Sequence, residues 1–186
     1  APAAPDHHPK DGQAEEGAGA RGGRLSVLVI RRWPDPVLRR VCAPVGGQDV
    51  SSLAADMLET MYAAPGRGLA APQVGEAIRL FVMDVAWKDG APEPWVFVDP
   101  EVVGVSDEVA TREEGCLSIP GIVAGVTRPA RVTVRWTGPD GRVREEAFDG
   151  FAAACVQHEM DHLDGIVTFD RVDATTRARL LAEYAA

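Results

Sequence analysis

The segment CVQHEMDHLDG, residues 155–165, carries two histidines and a glutamate that could bind and use a metal ion. His158 and His162 are four residues apart, so on a helix both imidazoles project from one face and reach the same ion. Glu159 lies beside His158 without taking a histidine's coordination position, which suits a general base for a metal-bound water. The pattern therefore predicts a helical metal site with an acid–base residue.

Two histidines leave such a site one ligand short, since catalytic ions usually have three protein ligands and a water. The residues after His162 contain no His or Cys, and Glu183 is their one glutamate. Upstream, EEGCLSIPG, residues 113–121, offers Cys116 in what we interpret as a polar loop. Its neighbour Gly115 permits close backbone approach. A downstream third ligand would indicate a metallopeptidase, and the residues alone leave that alternative open.

Bulk composition narrows the class of protein. The chain has 186 residues and a formal net charge of −9, which argues against nucleic acid or an anionic membrane as a partner. No apolar run approaches the roughly 20 residues that span a bilayer. The three cysteines do not make a disulfide framework, so we expect a cytoplasmic protein.

Two regions differ in composition. Residues 1–24 are rich in Ala, Gly, Pro and charge, which predicts a flexible N-terminal arm rather than a signal peptide, with His7 and His8 solvated. Residues 25–186 have the length and apolar content of a single catalytic domain.

Local patterns predict the elements that position these residues. Apolar spacing predicts a helix over Ser52–Ala63, capped by Ser51 or Ser52, whose methionines pack in the core. Residues 66–75, GRGLAAPQVG, predict no regular structure. Strands are expected at 78–85, 94–100 and 131–136, the last in a hairpin, followed by helices from near Phe151 and over about 174–185. The order indicates an α+β fold, with mostly antiparallel sheets packed around a central metal-binding helix and with an N-terminal and a C-terminal helix.

Three segments together resemble the motifs of the peptide deformylase family. They are, in the family's order, GLAAPQVG (68–75), EGCLSIPG (114–121) and QHEMDHLDG (157–165). The resemblance covers about residues 26–184. It implies a metal-dependent amide hydrolase that removes the formyl group from the N-terminal formylmethionine of nascent polypeptides and releases formate.

The resemblance also implies metal and catalytic roles. Cys116, His158 and His162 would be the metal ligands, and Glu159 the general acid and base. The Gln73 amide and the Leu117 N–H would bind the oxygen of the tetrahedral intermediate. The ion would be Fe²⁺ in the cell, although Zn²⁺ or Ni²⁺ can replace it in a purified sample, because a thiolate–imidazole site prefers zinc.

Gly68 and Gly115 are expected to contact the substrate through close backbone approach. Phe151 and Cys155 are expected to line the pocket for its side chain. The partner implied is an N-formylated nascent peptide, with a transient contact to the ribosome. Cys155 could instead close the site as a fourth ligand. A non-catalytic peptide-binding protein is a further alternative, disfavoured because Glu159 and Gln73 are present.

The chain departs from the family pattern around the substrate pocket. Arg67 replaces an aliphatic residue, and Arg112 is charged where some members are apolar; their stems could line the pocket while their heads stay in water. Val123 stands where many members have a substrate-binding arginine, and Arg128 and Arg131 are the candidates to replace it. Two acids, Glu114 and Asp161, are candidates to accept hydrogen bonds from the ligand histidines.

Overall fold

The computed structural model describes residues 25–186, so the predicted arm and the pair His7 and His8 lie outside the described residues. Within this range the chain forms three α-helices, α1 (Ser51–Ala63), α2 (Gly150–Leu163) and α3 (Ala174–Ala185). It forms seven β-strands there: β1 (Gly68–Ala70), β2 (Leu80–Met83), β3 (Trp95–Val105), β4 (Val109–Cys116), β5 (Ile119–Pro129), β6 (Arg131–Thr137) and β7 (Val143–Asp149). The predicted α+β class is confirmed.

The strands form two antiparallel sheets in the described part of the chain. Five strands lie in the order β1-β2-β3-β6-β7, and β4 pairs with β5 in a separate hairpin. Two predictions were wrong here. Cys116 ends a strand rather than sitting in a loop, and the segment 66–75 contains the short strand β1 and a 3₁₀ turn at Ala71–Val74. The sequence of β4 lacks the alternation of apolar and polar residues that predicts a strand, because most of its side chains face solvent.

Helix α2 is held in place by an aromatic core. Phe81 and Phe97 stack with ring centroids 4.2 Å apart, and Phe97 also packs against Trp136. Val156 and Leu163 of α2 are fully buried in the same cluster. Each such side chain contributes about 1.5–3 kcal/mol on burial, so the packing fixes the helix that carries the histidines.

The flanking helices pack as predicted, with one correction. Met57 of α1 is fully buried in the core, and so is Leu180 of α3. The serine cap was wrong: α1 begins at Ser51, and its N-cap residue, Val50, has no side chain that could cap it. Asp49 instead accepts hydrogen bonds from the Ser51 N–H and hydroxyl, because a carboxylate two residues upstream reaches both.

Asp170 ties the turn after α2 to the N-terminal part of the fold. It pairs with Arg39 and accepts the Val167 N–H at 3.0 Å. Partial burial raises the pKa of Asp170, but the Arg39 contact and the Val167 N–H outweigh it and leave the pKa below 3.8. The carboxylate thus stabilises the fold fully above about pH 3.8, and that stabilisation is lost as the pH falls through the lowered pKa.

Asp170→Asn is therefore expected to cost about 1–2 kcal/mol of unfolding free energy at pH 7. The cost should shrink towards zero as the pH falls below 4, because the wild-type carboxyl then loses its charge as well. Urea unfolding of both proteins between pH 3 and 7 measures the difference. Glu146→Gln, at an exposed position on β7, is the control with little expected change. A cost that stays constant across this pH range would contradict the assignment.

Candidate metal centre and active site

Three ligand side chains converge from two elements. Cys116 ends β4, and His158 and His162 lie one turn apart on α2. One ligand atom from each lies within 4.8 Å of the others, and Cys116 Sγ is 3.3 Å from His162 Nε2. The geometry brings together the predicted upstream cysteine and the two histidines. One thiolate and two imidazoles form a donor set that suits a divalent transition-metal ion and leaves a position open for water.

Glu114 orients the first histidine. Its Oε2 lies 3.0 Å from His158 Nδ1, so Nδ1 carries the proton and Nε2 faces the other ligands. Burial raises the pKa of Glu114, but hydrogen bonds from Arg128 and His158 outweigh it and lower the pKa to about 2. The predicted contact from Glu114 is confirmed, and its carboxyl stays ionised at any working pH.

Asp161 has a different role from the one predicted. Its carboxylate pairs with Arg128 at 2.8 Å and with Arg171, and it contacts neither histidine. His162 Nδ1 is buried without a hydrogen-bond partner among the described residues. The prediction that Asp161 supports a ligand histidine was wrong, because two arginines take up its carboxylate.

Arg128 has a role at the centre that the sequence did not indicate. Its guanidinium, nearly buried, donates to Glu114 Oε1 at 2.7 Å and to Oε2 at 2.9 Å. Arg128 therefore cannot meet a substrate as predicted, and Arg131 pairs with Glu108 outside the cavity. The β4–β5 register pairs Arg128 with Ala110 and Glu114 with Ala124, so the long Arg128 side chain reaches Glu114 along the hairpin.

Glu159 is buried beside the three ligands. Burial raises the pKa of its carboxyl to about 7, and the charge of Glu114 adds to the shift. Its Oε2 is buried without a hydrogen-bond partner among residues 25–186. The carboxyl is thus positioned without being neutralised by a protein cation.

Gln73 is fixed beside the same centre. Its Oε1 accepts the Ala70 N–H at 2.9 Å, which directs Nε2 to Ser118 Oγ at 3.1 Å and to Cys116 Sγ at 3.6 Å. Leu117 lies in the two-residue turn between β4 and β5, next to Cys116. Ser118 was not predicted, although it lies inside the second motif. These contacts hold the side-chain amide of Gln73 beside Cys116, with its N–H groups as donors.

A cavity of about 950 Å³ opens from the metal centre. Gly68, Gly115, Phe151 and Cys155 all line it, as do the catalytic candidates Gln73, Leu117 and Glu159. Burial raises the pKa of the Cys155 thiol well above 9.0, and Glu159 adds to the shift. A neutral thiol whose sulfur lies outside the ligand cluster suits a pocket wall rather than a fourth ligand.

Gly68 leaves the space that Glu159 occupies. A β-carbon built on Gly68 would lie 2.4 Å from Glu159 Oε1 and 3.0 Å from Cys155 Sγ. Gly68→Ala is therefore expected to push the carboxyl aside and lower kcat about 100-fold, the cost typical of a 1 Å misplacement. Steady-state kinetics on a formyl-peptide measures this. Gly125→Ala on β5, where the nearest atom is 3.7 Å away, is the matched control. Equal activity of the two variants would contradict the steric reasoning.

The three residues that depart from the family pattern, Arg67, Arg112 and Val123, line the cavity. Arg67 donates to the Val85 carbonyl, pairs with Asp89 at 2.8 Å and stacks 5.3 Å from the Phe151 ring centroid. The head was expected to stay in water, but protein groups hold it, and the Arg67 side chain is only 23% exposed.

The fold and the site are those expected of a metal-dependent hydrolase, with one cysteine and two histidines that could hold an ion. The family model for polypeptide deformylase matches residues 27–178. A peptide deformylase of Rhodopseudomonas palustris (strain BisB5) is 46% identical over 164 residues, covering 86% of this chain and 94% of the relative. One of Afipia carboxidovorans is 47% identical over 162 residues, covering 86% of this chain and 95% of the relative.

Solved structures of peptide deformylases have the same fold as this chain. The crystal structure of a peptide deformylase from Legionella pneumophila has a TM-score of 0.80 and 36% identity, covering 86% of this chain and 94% of that one. The enzyme from Synechococcus elongatus in complex with actinonin has a TM-score of 0.80 and 37% identity, covering 85% and 88%. The chain belongs to the polypeptide deformylase family, and the predicted hydrolase class and metal dependence are confirmed.

Among residues 25–186, no helix combines the length and the apolar character that crossing a bilayer requires.

Proposed function

We propose that this protein hydrolyses the formyl group of N-formylated nascent peptides at the centre formed by Cys116, His158 and His162. The observation that carries the proposal is the convergence of these ligands with the buried carboxyl of Glu159 at the end of a peptide-sized cavity. A buried acid beside a three-ligand centre suits amide hydrolysis, which needs one group that accepts and then returns a proton.

The peptide would lie between two free strand edges. β1 is the outer strand of the five-stranded sheet, and β4 pairs only with β5 in the described chain. Gly68 and Gly115 face the cavity from these strands, so an extended peptide can approach both backbones. The first side chain would then enter the pocket lined by Phe151 and Cys155.

The proton transfers and the stabilisation of the oxyanion are carried out by residues of this chain. A bound divalent ion would supply a Lewis acid that acidifies water and polarises the formyl oxygen. Glu159 accepts a proton from the water that adds to the formyl carbon. Gln73 Nε2 and the Leu117 N–H donate to the oxygen that becomes negative, and one such donor typically contributes about 3–4 kcal/mol. Glu159 then returns the proton to the nitrogen as the C–N bond breaks, leaving formate and a free amine.

Fe²⁺ is the ion that we propose for the cell, with Zn²⁺ or Ni²⁺ as replacements after purification. The mixed thiolate and imidazole donors accept all three ions, and zinc binds such donors more tightly than ferrous iron. The cysteines Cys42, Cys116 and Cys155 are free, which supports a reducing cytoplasm. A transient ribosome contact and the division into an arm and a catalytic domain over 25–186 stay predictions.

Formate release tests the proposal directly. The full chain, loaded anaerobically with Fe²⁺ and assayed on formyl-Met-Ala-Ser, should release one formate per free amine formed. An acetyl-Met-Ala-Ser control should be cleaved far more slowly. No formate from protein with a full equivalent of bound metal would refute the proposal.

Cys116→Ser distinguishes this reading from a metallopeptidase with another third ligand. A serine hydroxyl is a much poorer ligand than a thiolate, so metal affinity should fall by more than about 100-fold. Metal analysis after dialysis against a weak chelator measures the loss. Cys42→Ser changes a buried cysteine that is not one of the converging ligands and should retain the metal. Full metal retention by Cys116→Ser would favour the peptidase.

A further inference from the structure

The outer part of the cavity is rich in cations, although the whole protein carries a net charge of −9. Four basic side chains line it: Arg32, Arg67, Lys88 and Arg112. Three acids line it as well: Glu113, Glu114 and Glu159. Glu114 and Glu159 are buried at the metal centre, which leaves Glu113 as the one exposed acid of the lining against four cations. The charge that a substrate meets beyond the centre is therefore positive.

Two of these cations are already engaged. Arg67 pairs with Asp89 at 2.8 Å, and Lys88 donates to the Pro65 carbonyl. Arg32 lies on the far wall next to the β4–β5 turn, since the adjacent Trp33 N–H donates to the Ser118 carbonyl at 2.9 Å. Arg112 is the cation on β4, the strand whose edge a bound peptide would follow.

Arg112 is exposed, and no carboxylate in the described part of the chain lies within salt-bridge distance of it. Its Nη2 would lie 3.9 Å from a β-carbon built on Gly150, the residue before Phe151. The guanidinium thus lies at the end of α2 where the side-chain pocket opens, with its charge uncompensated.

The strand register indicates which substrate residue meets Arg112. A peptide on the edge of β4, with its formyl group at Cys116, runs back along the strand towards Arg112. At about 3.3 Å per residue, Arg112 lies about 13 Å from Cys116 along the strand, and the third Cα of the peptide lies about 10 Å along it. The long arginine side chain spans that difference.

Side-chain alternation supports the same residue. Glu114 reaches His158 on α2, so the even-numbered side chains of β4, including Arg112, face α2. The first side chain of the peptide enters the pocket on that face, beside Phe151. Since alternate residues of a strand share a face, the third side chain points the same way and the second points out.

We infer that Arg112 is a specificity-determining residue that favours formyl-peptides with an acidic third residue. The inference rests on the proposed function, because it assumes that the formyl group lies at the metal centre. Exposed ion pairs are weak, so kcat/KM for glutamate over lysine at the third position should differ about two- to fivefold at low salt. Raising the salt to 0.3 M should shrink this ratio.

The test compares C-terminally amidated formyl-Met-Ala-Glu-Ser and formyl-Met-Ala-Lys-Ser. The ratio of their kcat/KM values is measured for the metal-loaded wild type, Arg112→Ala, Arg112→Glu and Arg135→Ala. Arg135 is exposed on β6 away from the cavity and pairs with Glu145, so it is the matched control. Because each ratio is taken within one protein, a general loss of activity cancels.

We expect Arg112→Ala to bring the ratio near one, Arg112→Glu to invert it, and Arg135→Ala to keep the wild-type value. A wild-type ratio of one at low salt would overturn the inference, and so would a ratio that Arg112→Glu leaves unchanged. Turnover of formyl-Met-Ala-Ser distinguishes a failure of this inference from a failure of the proposed function. If this peptide is turned over but no charge preference is found, only the role of Arg112 is overturned. If it is not turned over, the proposed function is overturned.

Discussion

Glu159→Gln is expected to lower kcat for formate release at least about 1,000-fold while the protein keeps its metal and its fold. Glutamine has nearly the same shape as glutamate, so the packing against Gly68 should survive. It cannot accept a proton from water or return one to the leaving nitrogen, and general acid–base catalysis is commonly worth 10²–10⁴-fold. The loss should fall mainly on kcat, because no ligand to the ion and no substrate contact is removed.

Anaerobic formate assays with parallel metal analysis measure the effect of Glu159→Gln. Glu183→Gln, in the exposed Arg179–Glu183 pair of α3, is the matched control and should behave as wild type. Activity within tenfold of wild type at full metal occupancy would contradict the role of Glu159. A loss of metal in Glu159→Gln would instead make this residue part of the binding site.

Arg128→Met is expected to cost about 3–5 kcal/mol of unfolding free energy, the largest stability effect among these substitutions. Arg128 neutralises Glu114 and Asp161 in a nearly buried cluster. Without it, two carboxylates remain buried close together with only Arg171, which is partly exposed, beside Asp161. Since Glu114 holds His158, metal affinity should also fall, by about 10–100-fold.

Denaturant unfolding of the metal-free proteins separates the stability effect from metal binding. Arg135→Met, on the exposed face of β6, is the control and should cost little. Adding Glu114→Gln to Arg128→Met should restore part of the lost stability, because it removes one uncompensated charge. If Arg128→Met is as stable as wild type, the cluster does not contribute to stability as described.

Local periodicity made part of the site predictable. An i, i+4 histidine pair shares a helix face whatever the rest of the fold does, so the ligand pair and Glu159 could be predicted from one segment. Alternating apolar residues likewise predicted β6, whose Val132, Val134 and Trp136 are all buried. The helix and the strand formed as predicted because the period of an element is set within a few residues.

The strand that carries Cys116 could not be recognised in the same way. β4 has charged residues and a glycine, and its stability comes from the backbone ladder with β5 rather than from an apolar face. The same holds for β1, whose three residues are a strand because β2 pairs with them. Pairing between distant segments leaves little trace in local composition.

By itself, the sequence determined the helix, the ligand types and, through three motifs together, the family. Only the tertiary structure decided that Arg128 neutralises Glu114 and that Gly68 makes room for Glu159. It also placed Arg112 at the rim of the pocket with its charge uncompensated. The physical reason is that ligand spacing on a helix is local, whereas burial, charge compensation and steric fit depend on which distant segments the fold brings together.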